Sequence, residues 1–594
     1  MHSALNATLE TRTLTGIFAV AAARFPDRPA VSDEGQTLTY TELDRRSSVL
    51  AGQLRERGID SEDRVGLYLD RSVEVFVAIL GILKAGAAYV AVEVRYPDAR
   101  RDFMFAHSGA KLIITRPDWQ GALSHLGAEI FPFRSQPSNG VVHAPAGGPL
   151  PSSAASVLFT SGSTGSPKAI VLEHGNIVSF ACNPSLPQVR PEDRTGQISS
   201  LSFDAFHFEM WTTLLHGAEV AVLPDVPELL AADFQREMRR RGITTMLVPT
   251  MVVNHVVRED RDAFASLRIL QAGGDVLLPS ACRDLLAGRF QGELYNLYGP
   301  AEITTACTAQ RVTDAEATLD AIPIGRPLNG VTLYILKPDL QPAALGETGE
   351  LFVGGPGVAR GYLDAPDLTD ERFLPNPCAA VPSRLYRTGD LVRDRGDGTL
   401  DFIGRGDSQV KVRGYRVEPG EVERGLLRDQ RVNQAVVLAA GEGNDRQLVA
   451  FVVLDEGLSL RELRNGAEAD LPDFMVPSHF IALNKIPATQ NGKRDVDALR
   501  LLLISYQERH VGQTSPATES ERYLAGLWEA LLGVENVGRN DDFFTLGGHS
   551  LLIFRVHTRI KRELGVELEY EVLLSNSILS DLASVLDAAR GEGK

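Results

Sequence analysis

Short runs of β-branched residues alternate with amphipathic helical patterns from Leu14 to about Leu400. RVGLYL, KLIIT, ITTMLVP and TLYIL are runs of the first kind, and SVEVFVAILGILKAG has the apolar spacing of a helix. Alternation of this kind is typical of α/β layers. No period of 20 to 50 residues recurs, which argues against a repeat array. The sequence therefore predicts a large α/β domain.

The pattern changes three times along the 594 residues, a length that itself predicts more than one folding unit. Pro, Gly and Ser crowd residues 137–153, which indicates an exposed loop. Near residues 404–423 a strand-like run of charge and valine passes into an acidic helical segment. Apolar periodicity is lost around residues 506–520, where Thr518 and Glu521 form a T-x-x-E capping box ahead of an apolar helix. A small helical domain is predicted to begin there.

Composition disfavours several classes of function. The hydrophobic share of 44% and the charged share of 23% are ordinary for a globular enzyme. The formal net charge of −17 disfavours nucleic acid or an anionic membrane as the main partner, because both repel an acidic surface. The sequence has no secretory pattern and no apolar run of membrane-spanning length, so the predicted location is the cytoplasm. Four cysteines make no CxxC pair and predict neither a zinc site nor a disulfide framework: Cys182, Cys282, Cys307 and Cys378.

The stretch TSGSTGSPK, Thr160 to Lys168, has the parts of a phosphate cradle. Its glycines let the backbone approach an anion, while its hydroxyl groups and its lysine supply donors and positive charge. The lysine is not followed by serine or threonine and the glycine spacing is too short, so a Walker-type P-loop is disfavoured. Taken alone, the stretch also fits a flexible loop, and its meaning depends on the motifs around it.

Further motifs follow in the order NLYGPAE, GELFVGGPGVARGY, YRTGDL, GRGDSQVKVRGYRVEPGEVE and IPATQNGK. Together with the cradle, and with LTYTEL and LKAGAAYVAVE near the start, they make the chain resemble the adenylate-forming superfamily. The resemblance is specifically to adenylation domains of non-ribosomal peptide synthetases and covers nearly the whole chain. It implies an α/β adenylate-forming fold followed by a four-helix-bundle carrier domain. The expected parts are a large N-terminal subdomain at 1–406, a small mobile C-terminal subdomain at 407–504, a linker at 505–516 and the carrier domain at 517–594.

The resemblance implies that the chain binds ATP and Mg²⁺. Tyr298 of NLYGPAE is expected to stack on adenine, and Glu302 of the same motif is expected to ligate magnesium through a carboxylate oxygen. Asp390 of YRTGDL would accept hydrogen bonds from the ribose hydroxyls, and Arg405 of GRGD would contact ribose or phosphate. The phosphate cradle itself is assigned to Thr160, Ser161, Gly162, Ser163, Thr164, Gly165 and Lys168.

Two residues match family positions that separate amino acids from other carboxylic acids. Lys493 of IPATQNGK corresponds to the lysine that reaches the substrate carboxylate and the developing oxyanion. Asp204 of FDAFHFEM corresponds to the aspartate that pairs with the α-ammonium group, and a helix N-cap is its alternative interpretation. The side-chain pocket is carried over from the family at Ala205, Phe208, Met246, Gln271, Gly273, Leu297, Thr305 and Ala306.

The expected pocket residues are uncharged and favour an aliphatic side chain. Gly273 and Ala306 leave space, while Phe208, Met246 and Leu297 present apolar walls. Valine is the first expectation, with leucine or isoleucine next, because one methylene in an apolar pocket is worth only about 1–3 kcal/mol. Gln271 disagrees with this expectation, because its amide could hydrogen-bond a polar side chain. A glutamine-like substrate therefore stays open.

The stretch DDFFTLGGHSLL, residues 541–552, resembles the peptidyl carrier motif in which a serine receives phosphopantetheine. Ser550 is the expected attachment residue, at the start of a helix whose apolar stripe includes Leu552, Val556 and Ile560. A plain helix N-cap is the alternative interpretation of Ser550. The resemblance implies that an activated amino acid is carried on this arm as a thioester.

The resemblance also implies partners and a movement. A phosphopantetheinyl transferase would prime Ser550, and a downstream condensation, tailoring or thioesterase protein would accept the cargo, because the sequence holds no HHxxxDG and no GxSxG. The C-terminal subdomain is expected to rotate about a hinge at Asp407 between two half-reactions. An acyl- or aryl-CoA ligase is one alternative, which Asp204 and Ser550 disfavour. A non-catalytic binding protein is the other, and the intact motifs disfavour it.

Overall fold

The computed structural model divides into two compact units. Of the described residues, the first comprises those up to 162, 166–223 and 238–407, and the second comprises 224–237 and those from 409 onward. The described residues are 13–134, 148–162, 166–231, 233–377, 383–407, 409–412, 414–441, 446–455, 457–487, 494–509, 514–544, 546, 548 and 550–592.

Strands β1 to β21 belong to the first unit. They are β1 Pro29–Ser32, β2 Thr37–Thr39, β3 Arg64–Tyr68, β4 Ala88–Ala91, β5 Leu112–Thr115, β6 Glu129–Pro132, β7 Ala154–Thr160, β8 Lys168–Glu173, β9 Arg194–Gln197, β10 Glu219–Val222, β11 Thr245–Pro249, β12 Ile269–Gly273, β13 Glu293–Tyr298, β14 Thr308–Val312, β15 Arg326–Pro327, β16 Thr332–Leu336, β17 Thr348–Gly354, β18 Gly361–Tyr362, β19 Phe373–Pro375, β20 Arg384–Asp394 and β21 Leu400–Arg405.

Helices connect many of these strands. They are α1 Leu14–Arg24, α2 Tyr40–Glu56, α3 Val73–Ala85, α4 Asp98–Ser108, α5 Gln120–Leu123, α6 His174–Ala181, α7 Ala205–His207, α8 Val226–Ala231, α9 Phe234–Arg240, α10 Thr250–Glu259, α11 Pro279–Leu286, α12 Asp314–Ala317 and α13 Pro366–Arg372. Short 3₁₀ turns lie at Pro117–Trp119 and Ala301–Ile303, and a π-helical segment lies at Phe208–Thr212.

Three sheets form the core of the first unit. The nine-stranded sheet has the order β15-β14-β13-β12-β11-β9-β10-β1-β2, and its strands from β13 to β1 pair in parallel. The seven-stranded sheet has the order β18-β8-β7-β4-β3-β5-β6, and the antiparallel sheet β16-β17-β20-β19 adds β21 beside β20. Parallel neighbours need crossover connections, which the intervening helices supply. The α/β alternation predicted from the sequence is confirmed.

Helix α3 shows how the apolar pattern positions a helix inside the unit. Eleven of its thirteen residues are buried, so it is covered on every side rather than on one face. The helix ends at Gly86, whose φ of 100° lies in the left-handed region, where glycine carries no Cβ penalty. The run VFVAILGIL thus forms an interior helix rather than an amphipathic surface helix.

The second unit contains α8, the start of α9 and the remaining elements, among them a hairpin β22-β23 and a three-stranded sheet β24-β25-β26. Val417, Val422, Leu463 and Phe480 are part of one apolar core around that sheet. Its elements are β22 Val410–Val412, β23 Tyr415–Val417, α14 Pro419–Leu426, β24 Val432–Ala440, β25 Gln447–Leu454, α15 Leu460–Asp470, β26 His479–Ala482 and α16 Val496–Arg509.

Four further helices, α17 Glu519–Leu532, α18 Ser550–Leu564, α19 Tyr570–Ser575 and α20 Leu579–Glu592, share a separate apolar core. The predicted capping box is confirmed, because the Thr518 side chain accepts from Glu521 N–H and the Glu521 carboxylate accepts in return. Trp528 lies fully buried against Phe543, with ring centroids 5.0 Å apart. A Cβ at Gly548 would overlap the Phe543 ring, which explains a glycine two residues before α18.

Helix α16 runs to Arg509, five residues beyond the predicted end of the C-terminal subdomain at 504. The predicted linker at 505–516 therefore begins as helix, because the apolar residues Leu499 and Leu503 keep the helical pattern going in a buried position. Leu501 and Ile504 on the same helix are apolar but exposed. Exposed apolar residues blur the helical periodicity, and a domain boundary placed where the periodicity is lost is then displaced.

Two expectations about the surroundings of the chain can be compared with the described residues. No helix there has the length and apolar character that a bilayer crossing requires. Cys182, Cys282 and Cys307 carry free thiols, and the last two are buried. Cys378 lies outside the described residues.

We predict that Trp528→Ala unfolds the four-helix core while leaving the first unit folded. Truncating a buried tryptophan costs about 3–5 kcal/mol, a large part of the stability of so small a core. Amide hydrogen exchange should show lost protection in α17 and α18 and unchanged protection in β7 and β12. Leu574→Ala, at a residue 36% exposed, is the control with a smaller effect. Equal loss of protection in both units would contradict the prediction.

Candidate functional site

The Gly-rich stretch connects the antiparallel strands β7 and β8, and Thr160 pairs directly with Lys168 across them. A Cβ at Gly162 would clash with the backbone carbonyl oxygen of Ser166, so the tight turn requires glycine there. The hydroxyl of Thr160 is buried and has no hydrogen-bond partner in the described chain, which fits a group waiting for a ligand. Ser161 is buried beside it. The other expected cradle residues, Ser163, Thr164 and Gly165, lie outside the described residues.

Lys168 faces a buried carboxylate. Its Nζ lies 3.6 Å from Glu302 Oε1 and 5.1 Å from the centroid of the Tyr362 ring. The Tyr362 hydroxyl donates a hydrogen bond of 2.8 Å to the same Glu302 oxygen. Glu302 has no exposed surface and stands on the 3₁₀ turn that follows β13. The cradle lysine and a buried carboxylate thus form one charged group inside the unit.

This carboxylate fits a magnesium ion that accompanies a nucleotide. Mg²⁺ prefers hard oxygen ligands and usually takes one or two carboxylates, with phosphate oxygens and waters completing its shell. Glu302 supplies one such carboxylate next to the cradle lysine. When bound, the metal would supply positive charge that neutralises phosphate oxygens.

A second buried carboxylate, Asp390 in β20, joins three segments of the unit. Its Oδ2 accepts a hydrogen bond of 2.5 Å from the hydroxyl of Tyr298, the last residue of β13. Its Oδ1 accepts one of 2.6 Å from Arg405, which lies beside it at the end of β21. Arg405 also makes a two-pronged ion pair with Asp407, at 2.7 Å for each oxygen. Burial and the adjacent Asp390 carboxylate raise the pKa of Tyr298 well above its usual value, so this hydroxyl is a donor.

Asp204 precedes helix α7 but does not cap it, because its side chain makes no capping hydrogen bond. The N-cap interpretation of Asp204 is therefore not supported. Its backbone carbonyl instead accepts a hydrogen bond of 2.9 Å from the hydroxyl of Thr305. Thr304 and Thr305 have φ values of 63° and 68°, a strained left-handed conformation for threonine that is held by their hydroxyl bonds to Gly357 and Asp204.

The expected pocket residues of β12 and β13 lie on one face of the nine-stranded sheet. Gln271 and Gly273 alternate with buried residues on the other face, and Gly273 pairs with Leu297. Directly paired residues of parallel strands point to the same face, and the partner of Gln271 in β11 is Leu247. Met246 pairs with Leu270 and lies on the opposite face, so its expected place in the pocket needs correction. A shift of one residue along a strand reverses the face.

An apolar cluster covers this face of the sheet. It joins residues from the segment after Asp204, from β11 and β13 and from the turn after Glu302, and the partly buried Ala205 packs against it. Its buried members are Phe180, Leu186, Phe208, Leu247, Leu297, Ala306 and Leu328.

The remaining expected residues belong to the second unit. Lys493 lies outside the described residues. Ser550 is the first residue of α18, and Leu552, Val556 and Ile560 on that helix are buried as the predicted stripe requires. Of the Ser550 side chain nothing is described.

Sequence reasoning did not assign Tyr362 or Leu247 to the site. Tyr362 is the last letter of the quoted motif GELFVGGPGVARGY, and that position was the available signal. Leu247 has no signal in the sequence, because only the strand register separates it from Met246.

Glu209 was also missed, and it supports the segment that leads to Asp204. The π-helical segment Phe208–Thr212 buries this carboxylate completely, where it accepts hydrogen bonds from Ile198 N–H, Ser199 N–H and the Ser199 hydroxyl. Burial raises the pKa of Glu209 to about 7, although these donors oppose the shift. π-Helical turns are rare in proteins as a whole, and those that do occur are often found at functional sites.

Comparison with known proteins assigns the chain to a protein family. The chain belongs to the AMP-binding enzyme family, whose model matches residues 18–363. A model of the AMP-binding enzyme C-terminal domain matches residues 421–493, and a model of the phosphopantetheine attachment site matches residues 522–586.

Relatives narrow the class to adenylation domains joined to a carrier domain in non-ribosomal peptide synthetases. Gramicidin S synthase 2 of Aneurinibacillus migulanus is 36% identical over 98% of this chain, which covers 13% of that protein. Tyrocidine synthase 3 of Brevibacillus parabrevis is 36% identical over 96% of this chain, which covers 9% of that protein. The chain thus spans a small part of the curated relatives that it matches.

A solved structure of holo-PA1221, described as a non-ribosomal peptide synthetase protein with adenylation and carrier domains, superposes with a TM-score of 0.83. The identity is 28%, and the match covers 98% of both chains. The predicted family and fold are confirmed. The chain is an adenylation domain of the ATP-dependent ligase type followed by a carrier domain, and ATP, Mg²⁺ and phosphopantetheine are its cofactors.

We predict that the charge of Glu209 makes the first unit less stable as pH rises. The folded-state pKa of about 7 lies above the ordinary 4.5, so the folded state keeps its proton longer than the unfolded state. Stability therefore falls between about pH 4.5 and pH 7, by roughly 3 kcal/mol, and is constant above.

The neutral variant Glu209→Gln should lack this part of the pH dependence. The free energy of unfolding of both proteins is measured with denaturant from pH 5 to pH 8. We expect the variant to become more stable relative to wild type as pH rises. A difference that is independent of pH would refute the assignment.

Proposed function

We propose that the chain joins an α-amino acid to AMP and then transfers the aminoacyl group to the carrier serine Ser550. The proposal that the substrate is an amino acid depends on the surroundings of Asp204. Its side chain makes no cap to helix α7, while the Thr305 hydroxyl fixes its backbone next to an apolar wall. A carboxylate close to apolar residues suits an ammonium group, because the ion pair gains strength where water is displaced.

The proposed roles of the nucleotide site follow from charge. The cradle from Thr160 to Lys168 would hold the ATP phosphates, and Glu302 would hold Mg²⁺ beside them. Asp390 would accept hydrogen bonds from the ribose hydroxyls, and Arg405 would lie next to it. Tyr298 would border the adenine. The substrate carboxylate must attack the α-phosphorus in line while pyrophosphate leaves, so cations offset the repulsion between two anions. Lys493 is proposed as the cation that arrives at the substrate carboxylate.

The substrate side chain is proposed to be neutral. Phe208, Leu247, Leu297 and Ala306 form an uncharged apolar cluster, and Gly273 lies on the same side of the sheet. These residues taken alone favour valine, with leucine or isoleucine next. This argument does not apply to Gln271 and Thr305, the polar members of the expected set.

The carrier domain extends the proposal to partners. We propose that a phosphopantetheinyl transferase modifies Ser550 and that a downstream condensation, tailoring or thioesterase protein takes the cargo. The arm supplies a thiol that accepts the aminoacyl group close to where it is formed, which raises the effective concentration of the acceptor. A cytoplasmic location stays a prediction.

Amino-acid-dependent exchange of labelled pyrophosphate into ATP tests the adenylation step. We expect exchange with a neutral amino acid and none with simple carboxylic acids, and Asp204→Asn should reduce it by about tenfold or more, because the amide cannot neutralise the ammonium group. Ser550→Ala is the matched control, since it should keep full exchange and lose covalent loading of the phosphopantetheinylated protein. Exchange with simple carboxylates only would move the chain to the CoA ligase class.

We predict that Asp407→Pro blocks loading of Ser550 more than it blocks adenylation. Proline fixes φ and restricts the preceding residue, so a rotation about residue 407 would be lost. Asp407→Ala separates this effect from loss of the ion pair with Arg405, because it removes the carboxylate and keeps backbone freedom. Single-turnover loading and pyrophosphate exchange are measured for both variants. Normal loading by Asp407→Pro would exclude the hinge.

A further inference from the structure

We infer that Gln271 selects an amino acid whose neutral side chain both donates and accepts a hydrogen bond, with a primary carboxamide as the best match. The inference rests on the proposed function and changes its expected substrate from an aliphatic residue to a polar one. Its basis is a buried amide whose two polar atoms are both unsatisfied.

Gln271 has no exposed surface, and neither Oε1 nor Nε2 has a hydrogen-bond partner in the described chain. Leaving a buried donor or acceptor unpaired costs the desolvation of that group with no hydrogen bond in return, so native structures seldom leave a whole amide in this state. Other buried amides of the same unit have a partner for at least one polar atom, as Gln197 does through its Nε2. Asn296 on the adjacent strand donates to the Pro323 carbonyl at 2.9 Å, and Asn254 donates to the Val276 carbonyl at 3.0 Å and accepts from Leu278 N–H.

The position of Gln271 connects this amide to the substrate. It lies two residues before Gly273 on the same face of β12, and its neighbours across the sheet are Leu247 and Tyr295. Leu247 belongs to the apolar cluster that contains Phe208 and Ala306, and Tyr295 packs against that cluster. The amide therefore stands among hydrocarbon groups at the wall where the substrate side chain is proposed to enter.

Nearby hydroxyl groups are already engaged elsewhere. The Thr305 hydroxyl, the other polar group expected in the pocket, donates to the Asp204 carbonyl at 2.9 Å. The hydroxyl of Tyr295 interacts with Glu293, which contributes to raising the pKa of this tyrosine. Within the described wall, Gln271 is thus the amide that depends on an incoming group.

Complementarity then orders the candidate substrates. A carboxamide can donate to Oε1 and accept from Nε2 at the same time, and a hydroxyl group can do so with less favourable geometry. An aliphatic side chain leaves both atoms of Gln271 unpaired. Sites that hydrogen-bond a substrate reject analogues that lack the group far more strongly than apolar pockets reject a changed methylene. Valine should therefore be a poor substrate.

The test compares pyrophosphate exchange for glutamine, asparagine, serine, threonine, valine, leucine and isoleucine in wild type, Gln271→Met and Leu270→Met. Wild type should prefer a carboxamide by at least about tenfold in kcat/KM over each aliphatic residue. Gln271→Met keeps the length of the side chain and removes both polar atoms, so its carboxamide activity should fall by about tenfold to a hundredfold while aliphatic activity rises. Leu270→Met makes the same new side chain on the opposite face and should keep the wild-type order.

A second measurement is independent of turnover. Without substrate, Gln271→Met should have a higher Tm than wild type, because it removes two unpaired polar atoms from the interior. A lower Tm would show that the amide is satisfied inside the protein and would overturn the inference. Preference for valine in wild type, with the order unchanged in Gln271→Met, would also overturn it and leave the proposed function standing. Exchange with simple carboxylates alone would instead overturn the proposed function.

Discussion

The hydrogen-bonded carboxylate of Asp390 is the interaction on which the arrangement of the proposed nucleotide site depends. A buried carboxylate is expensive unless donors surround it, and here Tyr298 and Arg405 meet that requirement from two different strands. Tyr298 ends a strand of the nine-stranded sheet, whereas Asp390 and Arg405 belong to the antiparallel sheet. The same contact therefore joins two sheets and fixes the relative positions of the residues proposed to hold the nucleotide.

Glu302 repeats this principle elsewhere in the same unit. Lys168 belongs to the hairpin that contains the proposed cradle, and Tyr362 belongs to a short edge strand. Lys168 pairs with one oxygen of Glu302, and the Tyr362 hydroxyl donates a hydrogen bond to the same oxygen. Charged groups taken from distant parts of the sequence are thus kept inside the unit by pairing with each other. A chain without a charged ligand would gain nothing from this arrangement, because apolar residues of similar volume are as stable or more stable.

The sequence predicted the elements and the motifs better than the contacts. Alternation of strands and helices, the capping box at Thr518 and the stripe on α18 follow from local rules, and the structure agrees with them. The face on which Met246 lies could not be predicted, because it depends on strand register rather than residue type. The bond from Tyr298 to Asp390 joins residues 92 positions apart, which no local pattern can predict, and stacking of Tyr298 on adenine, implied by the resemblance, stays a prediction.

The hydroxyl of Thr305 has a consequence for attempts to redesign this chain. It lies in the wall of the proposed pocket, yet its bond holds the backbone of Asp204, and its strained conformation is continuous with the turn that carries Glu302. If all pocket residues were exchanged for those of a relative, the loss of Thr305 would therefore disturb the pocket wall, the backbone of Asp204 and the turn that carries Glu302 at the same time. Engineering that keeps Thr305 and varies the β12 wall should separate a change of selectivity from a loss of turnover.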